Sequence, residues 1–303
     1  MKIKQFIFII VLLSAHYNIT NDIKYVFTVD ASIKNHQSKI INFLDSQVHY
    51  LPEDTVIFNR FLQYSKQGDN SLLHTARFFM NTPYVAGTLE GDNEERLRVN
   101  LRELDCVTFV ENSIALHLML QSDDSTFDNF CRILQHIRYR DGVADGYLSR
   151  LHYFSEWLDN NRQKGIITLP LTPACRSFNP DVSYMSAHCG SYPALKTNLD
   201  LCRQMNDIEK NINILNFCYT PKENVKDLGE NIQTGNIIAI TTHINGLDIS
   251  HTGFALIQNG KAYLLHASSD VKKVTVSDEP LHDYLARFKN NSGIIQGKLT
   301  INH

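Results

Sequence analysis

The segment LDCVTFVE, residues 104–111, joins an alternating run of residues to a run with helical spacing. Apolar and polar residues alternate before it, over residues 97–102, which is the period of a half-buried strand. Apolar residues recur three and four positions apart after it, which predicts a helix that Asp105 caps and Cys106 begins. The positive end of a helix favours the thiolate form of a cysteine, so we predict that Cys106 is a nucleophile. A buried cysteine acting as a small hydrophobe is the alternative.

The order of patterns along the chain predicts an α+β fold. Helical spacing dominates residues 37–80 and recurs in two stretches between 125 and 165. A proline-containing stretch at 168–193 predicts irregular loops. Beyond residue 236 the chain changes to short β-rich runs, at 237–241, 251–257, 262–266 and 271–276. Helices followed by strands, without βαβ alternation, favour a C-terminal antiparallel sheet over a doubly wound parallel one.

The composition is that of an ordinary globular protein. The 303 residues are 43% hydrophobic, which is ample for a core. The net charge of -3, from 29 basic and 32 acidic residues, argues against a nucleic-acid or anionic-membrane partner.

The N-terminus has the pattern of a secretory signal. Lys2 and Lys4 precede the apolar run Phe6–Leu13, which is too short to span a bilayer. We predict a signal peptide at 1–21 and export to the periplasm without stable membrane insertion. A retained membrane anchor is the alternative. Residues 22–303 are then one domain, with a helical and loop-rich insertion at about 125–230.

Export makes the cysteines candidates for disulfides. The chain has six, at positions 106, 131, 175, 189, 202 and 218. A nucleophilic Cys106 leaves five, so at least one other thiol must be free or paired between chains. Cys175 and Cys189 flank a loop-like stretch, and we predict a bridge between them.

Two histidines near the C-terminus are the predicted partners of the thiol. Asn259-Gly260 is the strongest two-residue hairpin signal in the chain. That turn places Gly253 opposite His266, so His251 and His266 share one sheet face as diagonal neighbours about 7 Å apart. A three-residue loop would instead send His266 to the other face.

This arrangement supplies a base for the nucleophile. We predict that His251 takes the thiol proton and that His266 fixes the tautomer of His251. Thirteen histidines also allow two to share a face by chance. A zinc site of Cys106 with both histidines is a further alternative, but no compact metal-ligand spacing occurs, and we predict neither metal nor cofactor.

Four motifs carry a family resemblance. They are Thr82-Pro83-Tyr84, Leu104-Asp105-Cys106, Ser250–Ala255 with Asn259-Gly260, and Leu265–Ser268. In order and spacing they resemble the NlpC-type papain-like cell-wall hydrolases, and more closely their N-acetylmuramoyl-L-alanine amidase-like branch, over roughly residues 70–276. The resemblance implies a papain-like core and a catalytic set of Cys106, His251 and His266. It also implies hydrolysis of amide bonds in peptidoglycan fragments without a metal.

The resemblance also suggests binding residues and a specificity. Tyr84 and Asp105 match positions that line the substrate cleft in related enzymes, and Glu90 is a further candidate. Many peptidase members have serine after the nucleophile, where this chain has Val107. In those relatives the serine helps to hold a free peptide amine. Its absence favours an amidase that cuts between N-acetylmuramic acid and L-alanine.

Two other functions remain open at the level of sequence. One is an endopeptidase that cuts after γ-D-glutamate, and the other is a muropeptide-binding protein without catalysis. Residues 138–141 and 150–153 carry charged side chains that either contact substrate or form structural ion pairs. The sequence predicts no oligomeric state.

Overall fold

The computed structural model describes residues 48–91 and 95–300, which belong to one unit beginning at Val48. The helices are α1 Pro52–Ser65, α2 Leu72–Arg77, α3 Cys106–Gln121, α4 Phe127–Arg138, α5 Phe154–Gln163, α6 Tyr184–Ala187, α7 Pro193–Lys196, α8 Leu199–Asn213 and α9 Leu281–Arg287. The strands are β1 Val48–His49, β2 Leu97–Arg98, β3 Ile167–Thr168, β4 Arg176–Phe178, β5 Phe217–Pro221, β6 Ile237–Thr242, β7 Ile249–Gln258, β8 Lys261–Ser268, β9 Lys273–Val276 and β10 Asn291–Leu299.

An antiparallel sheet forms the C-terminal part of the described chain. Its strand order is β4-β5-β10-β6-β7-β8-β9, and β3 pairs with the end of β10. β1 and β2 form a separate parallel pair. The last strand of the described residues therefore lies inside the sheet, between β5 and β6.

Helices cover both faces of the sheet. The ring of Phe109 in α3 lies 5.5 Å from that of Phe254 in β7, edge to face. The next residue, Ala255, packs in a cluster with Leu281 and Leu285 of α9. Because consecutive strand residues point to opposite faces, α3 lies on one face and α9 on the other.

Most predicted elements are present, and the α+β fold with a C-terminal antiparallel sheet is confirmed. The four predicted β-rich runs correspond to β6–β9. β9 begins two residues later than predicted, because Lys272 has a φ of 62° and belongs to the preceding turn. Helices α1, α2, α4 and α5 lie within the predicted helical stretches, whereas α8 and β10 were not predicted.

The predicted strand before the nucleophile is wrong in length. Only Leu97–Arg98 is a strand, because the backbone N–H of Leu101 donates to the buried carboxylate of Asp54, at 2.8 Å, and not to a neighbouring strand. The alternation of apolar and polar residues still identifies the buried positions, since Leu97, Val99 and Leu101 are all buried.

The predicted Cys175–Cys189 bridge is also wrong. The disulfides are Cys175–Cys218 and Cys189–Cys202. Pairing of β4 with β5 brings the Cα atoms of Cys175 and Cys218 to 5.2 Å, a contact that sequence distance conceals. Cys131 is free and buried, which confirms that a second thiol lacks a partner.

Two predictions lie wholly or partly outside the described residues. The signal peptide and the domain start at residue 22 both precede Val48, as does part of the first helical pattern. Among the helices of the described residues, none is both long and apolar enough to cross a membrane.

Candidate active site

The start of α3 holds the predicted nucleophile. Cys106 is the first helical residue and Asp105 is its cap. The Asp105 carboxylate accepts the backbone N–H of Thr108 at 2.8 Å, and the Thr108 hydroxyl accepts the N–H of Asp105 at 2.9 Å. This reciprocal pair is a capping box, so local sequence fixes the start of α3 and places Cys106 in its first turn.

Burial and the helix terminus have opposite effects on the protonation of the thiol. Cys106 is half-buried, and burial raises the pKa of its thiol to about 12, with a further contribution from the negative charge of Asp105. The backbone N–H groups of Thr252, Cys106 and Val107 act in the opposite direction, but they do not compensate. Burial therefore outweighs the helix terminus, and a base must remove the proton, which is the role predicted for His251.

The hairpin has the predicted register. β7 and β8 pair Gln258 with Lys261 across the Asn259-Gly260 turn, and the pairing continues to Phe254 and Leu265. His251 and His266 therefore share one face, and Nε2 of His251 lies 2.6 Å from Nδ1 of His266.

Both imidazoles are neutral at ordinary pH. Burial lowers the pKa of His251 to about 4 and that of His266 to about 3. If Nε2–H of His251 donates to Nδ1 of His266, then Nδ1 of His251 keeps its lone pair and can accept a proton. His266 is only 2% exposed, so this hydrogen bond is held within the protein.

The thiol and His251 open on the same cleft. Its volume is about 280 Å³, and its wall includes Cys106, His251 and Thr252. The predicted binding residues Asp105 and Glu90 also line it.

Tyr84 is close to this centre without being part of the cleft wall. Burial, and the charges of Cys106 and Asp105, raise the pKa of its hydroxyl to about 12. The aromatic ring also lies under the ammonium group of Lys272, at 5.8 Å.

The charged side chains that were candidates for substrate contact also form ion pairs. Arg150 lines the cleft and pairs with Glu90 at 2.7 Å and with Glu95 at 3.3 Å. Arg138 lines it as well and pairs with Glu111 at 2.7 Å, both residues being almost completely buried. Arg138 and Arg150 therefore form structural ion pairs and also lie where they could contact a substrate.

Sequence reasoning missed three contributors to the site. Thr252 presents a backbone N–H to the sulfur, Asp248 lines the cleft, and Tyr284 packs edge to face against His266, with ring centroids 5.3 Å apart. Asp248 accepts the N–H of Ser155, 93 residues away, at 2.7 Å. No local pattern carries such contacts. Within residues 48–91 and 95–300, no group of three or more His, Cys, Asp or Glu side chains is arranged to hold a metal ion.

Comparison with known protein families assigns the chain to an enzyme class. The model of the AmiA-like family, described as N-acetylmuramoyl-L-alanine amidase-like, matches residues 74–294. The chain belongs to this family. It is therefore a hydrolase acting on amide bonds, as the sequence predicted. No curated protein matches the chain.

Solved structures support the assignment. An N-acetylmuramoyl-L-alanine amidase from Bacteroides uniformis is 36% identical, with a TM-score of 0.73, over 77% of this chain and 100% of its own. A Bacteroides fragilis protein provisionally named a xylanase is 39% identical, with a TM-score of 0.70, over 75% of this chain and 100% of its own. A Legionella pneumophila protein is 20% identical, with a TM-score of 0.63, over 82% of this chain and 95% of its own, and shows a similar fold.

The cleft does not favour sugar-bond hydrolysis of the xylanase kind. Such enzymes commonly use two carboxyl groups on either side of the bond that breaks. Here Glu111 is bound to Arg138, and Asp248 accepts backbone N–H groups from Ser155 and Ile249. These two carboxylates are thus engaged in holding the fold, and the other two that line the cleft are also engaged: Glu90 pairs with Arg150, and Asp105 caps α3.

Proposed function

We propose that this chain is a cysteine amidase that hydrolyses the bond between N-acetylmuramic acid and L-alanine in soluble peptidoglycan fragments. The observation that carries the proposal is a thiol at a helix start that shares one cleft with His251, whose imidazole is hydrogen-bonded to His266. Membership of the amidase-like family supports the bond type. The name of the Bacteroides uniformis relative supports the substrate.

In the first step, Nδ1 of His251 takes the proton of the Cys106 thiol as the sulfur attacks the lactyl carbonyl carbon. His266 stabilises the imidazolium through the 2.6 Å hydrogen bond. The backbone N–H groups near the sulfur favour the thiolate as it forms. The N–H of Cys106 then donates to the oxyanion.

In the second step, the imidazolium of His251 returns its proton to the nitrogen of L-alanine, and the carbon–nitrogen bond breaks. A thioester between Cys106 and the lactyl group remains. His251 then removes a proton from water, which attacks the thioester and releases the acid and the free thiol.

Residues around the thiol set the substrate preference in this proposal. Tyr84, Asp105 and Glu90 contact the fragment. Val107 has no hydrogen-bonding side chain for a free amine, whereas the scissile nitrogen of an amidase substrate lies within the amide bond. We further propose that the core is papain-like and that the chain is exported to the periplasm.

Product identification tests the proposal. The wild-type protein and Cys106→Ala are incubated with N-acetylmuramoyl-L-alanyl-D-isoglutamate, and the products are identified by mass spectrometry. We expect free N-acetylmuramic acid with the wild type and at least about a thousandfold loss with Cys106→Ala. Cys131→Ala is the matched control, because it removes the other free thiol, and it retains turnover.

The other outcomes separate the alternatives. On a substrate with a longer stem peptide, cleavage after γ-D-glutamate identifies an endopeptidase. Binding without turnover identifies a non-catalytic protein. Full activity of Cys106→Ala contradicts the cysteine mechanism.

A further inference from the structure

A second cavity meets the first at His251. Its volume is about 320 Å³, and Ser250 and His251 line both cavities. An extended substrate whose scissile bond lies at His251 therefore has a cavity on each side of that bond. The remaining walls of the second cavity are Ile244, Ser269, Tyr284, Arg287, Phe288, Lys289, Asn290 and Asn291.

The charged side chains that line the second cavity are both cationic. The guanidinium of Arg287 lies over the rings of Tyr284 and Phe288, at 5.8 Å and 5.2 Å. Its charge is balanced by Glu279 at 3.0 Å and a second carboxylate at 3.3 Å, neither of which lines the cavity. Lys289 is exposed, and no carboxylate of the described residues pairs with it. Lys289 is thus the side chain with charge available for a ligand.

In the lining of the first cavity, acidic side chains outnumber basic ones. Its lining includes the carboxylates of Glu90, Asp105, Glu111 and Asp248 against the cations of Arg138 and Arg150. Aromatic side chains also line it, among them Tyr153, Phe154 and Tyr192. Polar groups beside aromatic surface suit an uncharged sugar, and the excess of carboxylates disfavours an acidic ligand.

We infer that the second cavity binds the carboxylate-bearing stem peptide, so that the sugar occupies the first cavity and the charge difference sets the direction of the substrate. This inference rests on the proposed function. In a muropeptide the sugar end is uncharged, whereas the residue after L-alanine, a γ-linked D-glutamate, carries a free α-carboxylate. Lys289 is the residue that recognises that carboxylate, and it is a specificity residue with no part in bond cleavage.

The test changes the charge of Lys289 in the enzyme and, separately, removes the α-carboxylate from the substrate. N-acetylmuramoyl-L-alanyl-D-isoglutamate has a free α-carboxylate and a free γ-carboxylate, and the isoglutamine analogue replaces only the α-carboxylate with an amide. We expect Lys289→Glu to lower kcat/KM for the isoglutamate substrate about fivefold, and for the isoglutamine substrate less than about twofold. Lys289→Met gives an intermediate loss on the isoglutamate substrate.

Lys261→Glu is the matched control, since Lys261 is exposed at the hairpin end and lies outside both cavities. It should leave the ratio of the two substrates unchanged, and thermal unfolding checks that each variant is folded. Equal losses of Lys289→Glu on both substrates, or none, overturn the inference and favour a sugar in the second cavity. Absence of hydrolysis by the wild type would instead contradict the proposed function.

Discussion

Gly253 keeps the histidine pair in place at the scale of a single residue. A Cβ atom at this position would lie 2.5 Å from the carbonyl oxygen of Leu265 and 2.9 Å from Cβ of His266. Backbone cannot yield as a flexible side chain does, so the two strands would have to separate. The absence of a side chain at Gly253 is therefore a condition for the 2.6 Å contact between the imidazoles.

We expect Gly253→Ala to destabilise the fold by about 1–3 kcal/mol and to lower kcat/KM more than tenfold, because overpacking displaces His266. Urea unfolding and steady-state kinetics measure the two effects. Gly190→Ala is the control, since nothing lies within 4 Å of a Cβ atom there. Equal stability of the two variants would contradict the argument.

Asp105 acts on the thiol through its charge as well as through the helix cap. Because its carboxylate raises the pKa of Cys106, Asp105→Asn should lower that pKa while keeping an oxygen that can cap α3. The pH dependence of iodoacetamide labelling reports the change, with Cys106→Ala as the background. The midpoint of labelling is expected to move to lower pH, and a midpoint that stays or rises would refute the role of the charge.

The helix start at Cys106 and its cap were predictable from the sequence, whereas the pKa of the thiol was not. The cap depends on Asp105 and Thr108, which are three positions apart and visible as a local pattern. The pKa of Cys106 depends mainly on burial, and the cleft wall around it includes His251 and Thr252, more than a hundred positions away. Local patterns contain no information about that burial.

At the scale of elements, β7 and β8 were predictable and β10 was not. The Asn259-Gly260 turn and the alternation on either side of it specify the hairpin and its register. In β10, Gly293 and Gly297 interrupt the run of β-forming residues. All of the first seven residues are buried, so apolar and polar residues do not alternate as they would in a strand with one face in solvent. A Cβ atom at Gly293 would collide with the backbone of β5, which explains why glycine stands there.

Helices α3 and α4 are joined by a buried ion pair. Arg138→Met leaves the carboxylate of Glu111 without its partner, and we expect a loss of about 3–5 kcal/mol in the free energy of unfolding. The double variant with Glu111→Leu should recover most of this loss, because no charge is then buried. Urea denaturation measures both variants, and a double variant as unstable as Arg138→Met would contradict the explanation.

At the scale of the whole molecule, the histidine pair makes stability depend on pH. Burial lowers the pKa of His266 to about 3, below the value of about 6.5 expected in the unfolded chain. The unfolded state therefore binds a proton first as the pH falls. The contribution is fully present above about pH 6.5 and is lost as the pH falls towards the folded pKa.

We therefore expect the wild type to lose about 2 kcal/mol more than His266→Asn when urea unfolding is compared at pH 7 and pH 5. Comparing the same two conditions for both proteins cancels the titration of groups that do not contact His266. His282→Asn, at a half-buried position outside both cavities, is the control and should resemble the wild type. Parallel losses for wild type and His266→Asn would show that the pair does not titrate in this way.

The central position of β10 has a consequence for biosynthesis. The residues that carry the thiol and the histidines leave the ribosome well before Asn291–Leu299, yet β5 and β6 meet only through that strand. A nascent chain that already contains every reactive side chain thus still lacks the middle of its sheet. Activity should therefore appear only after Asn291–Leu299 has been made and has paired with β5 and β6.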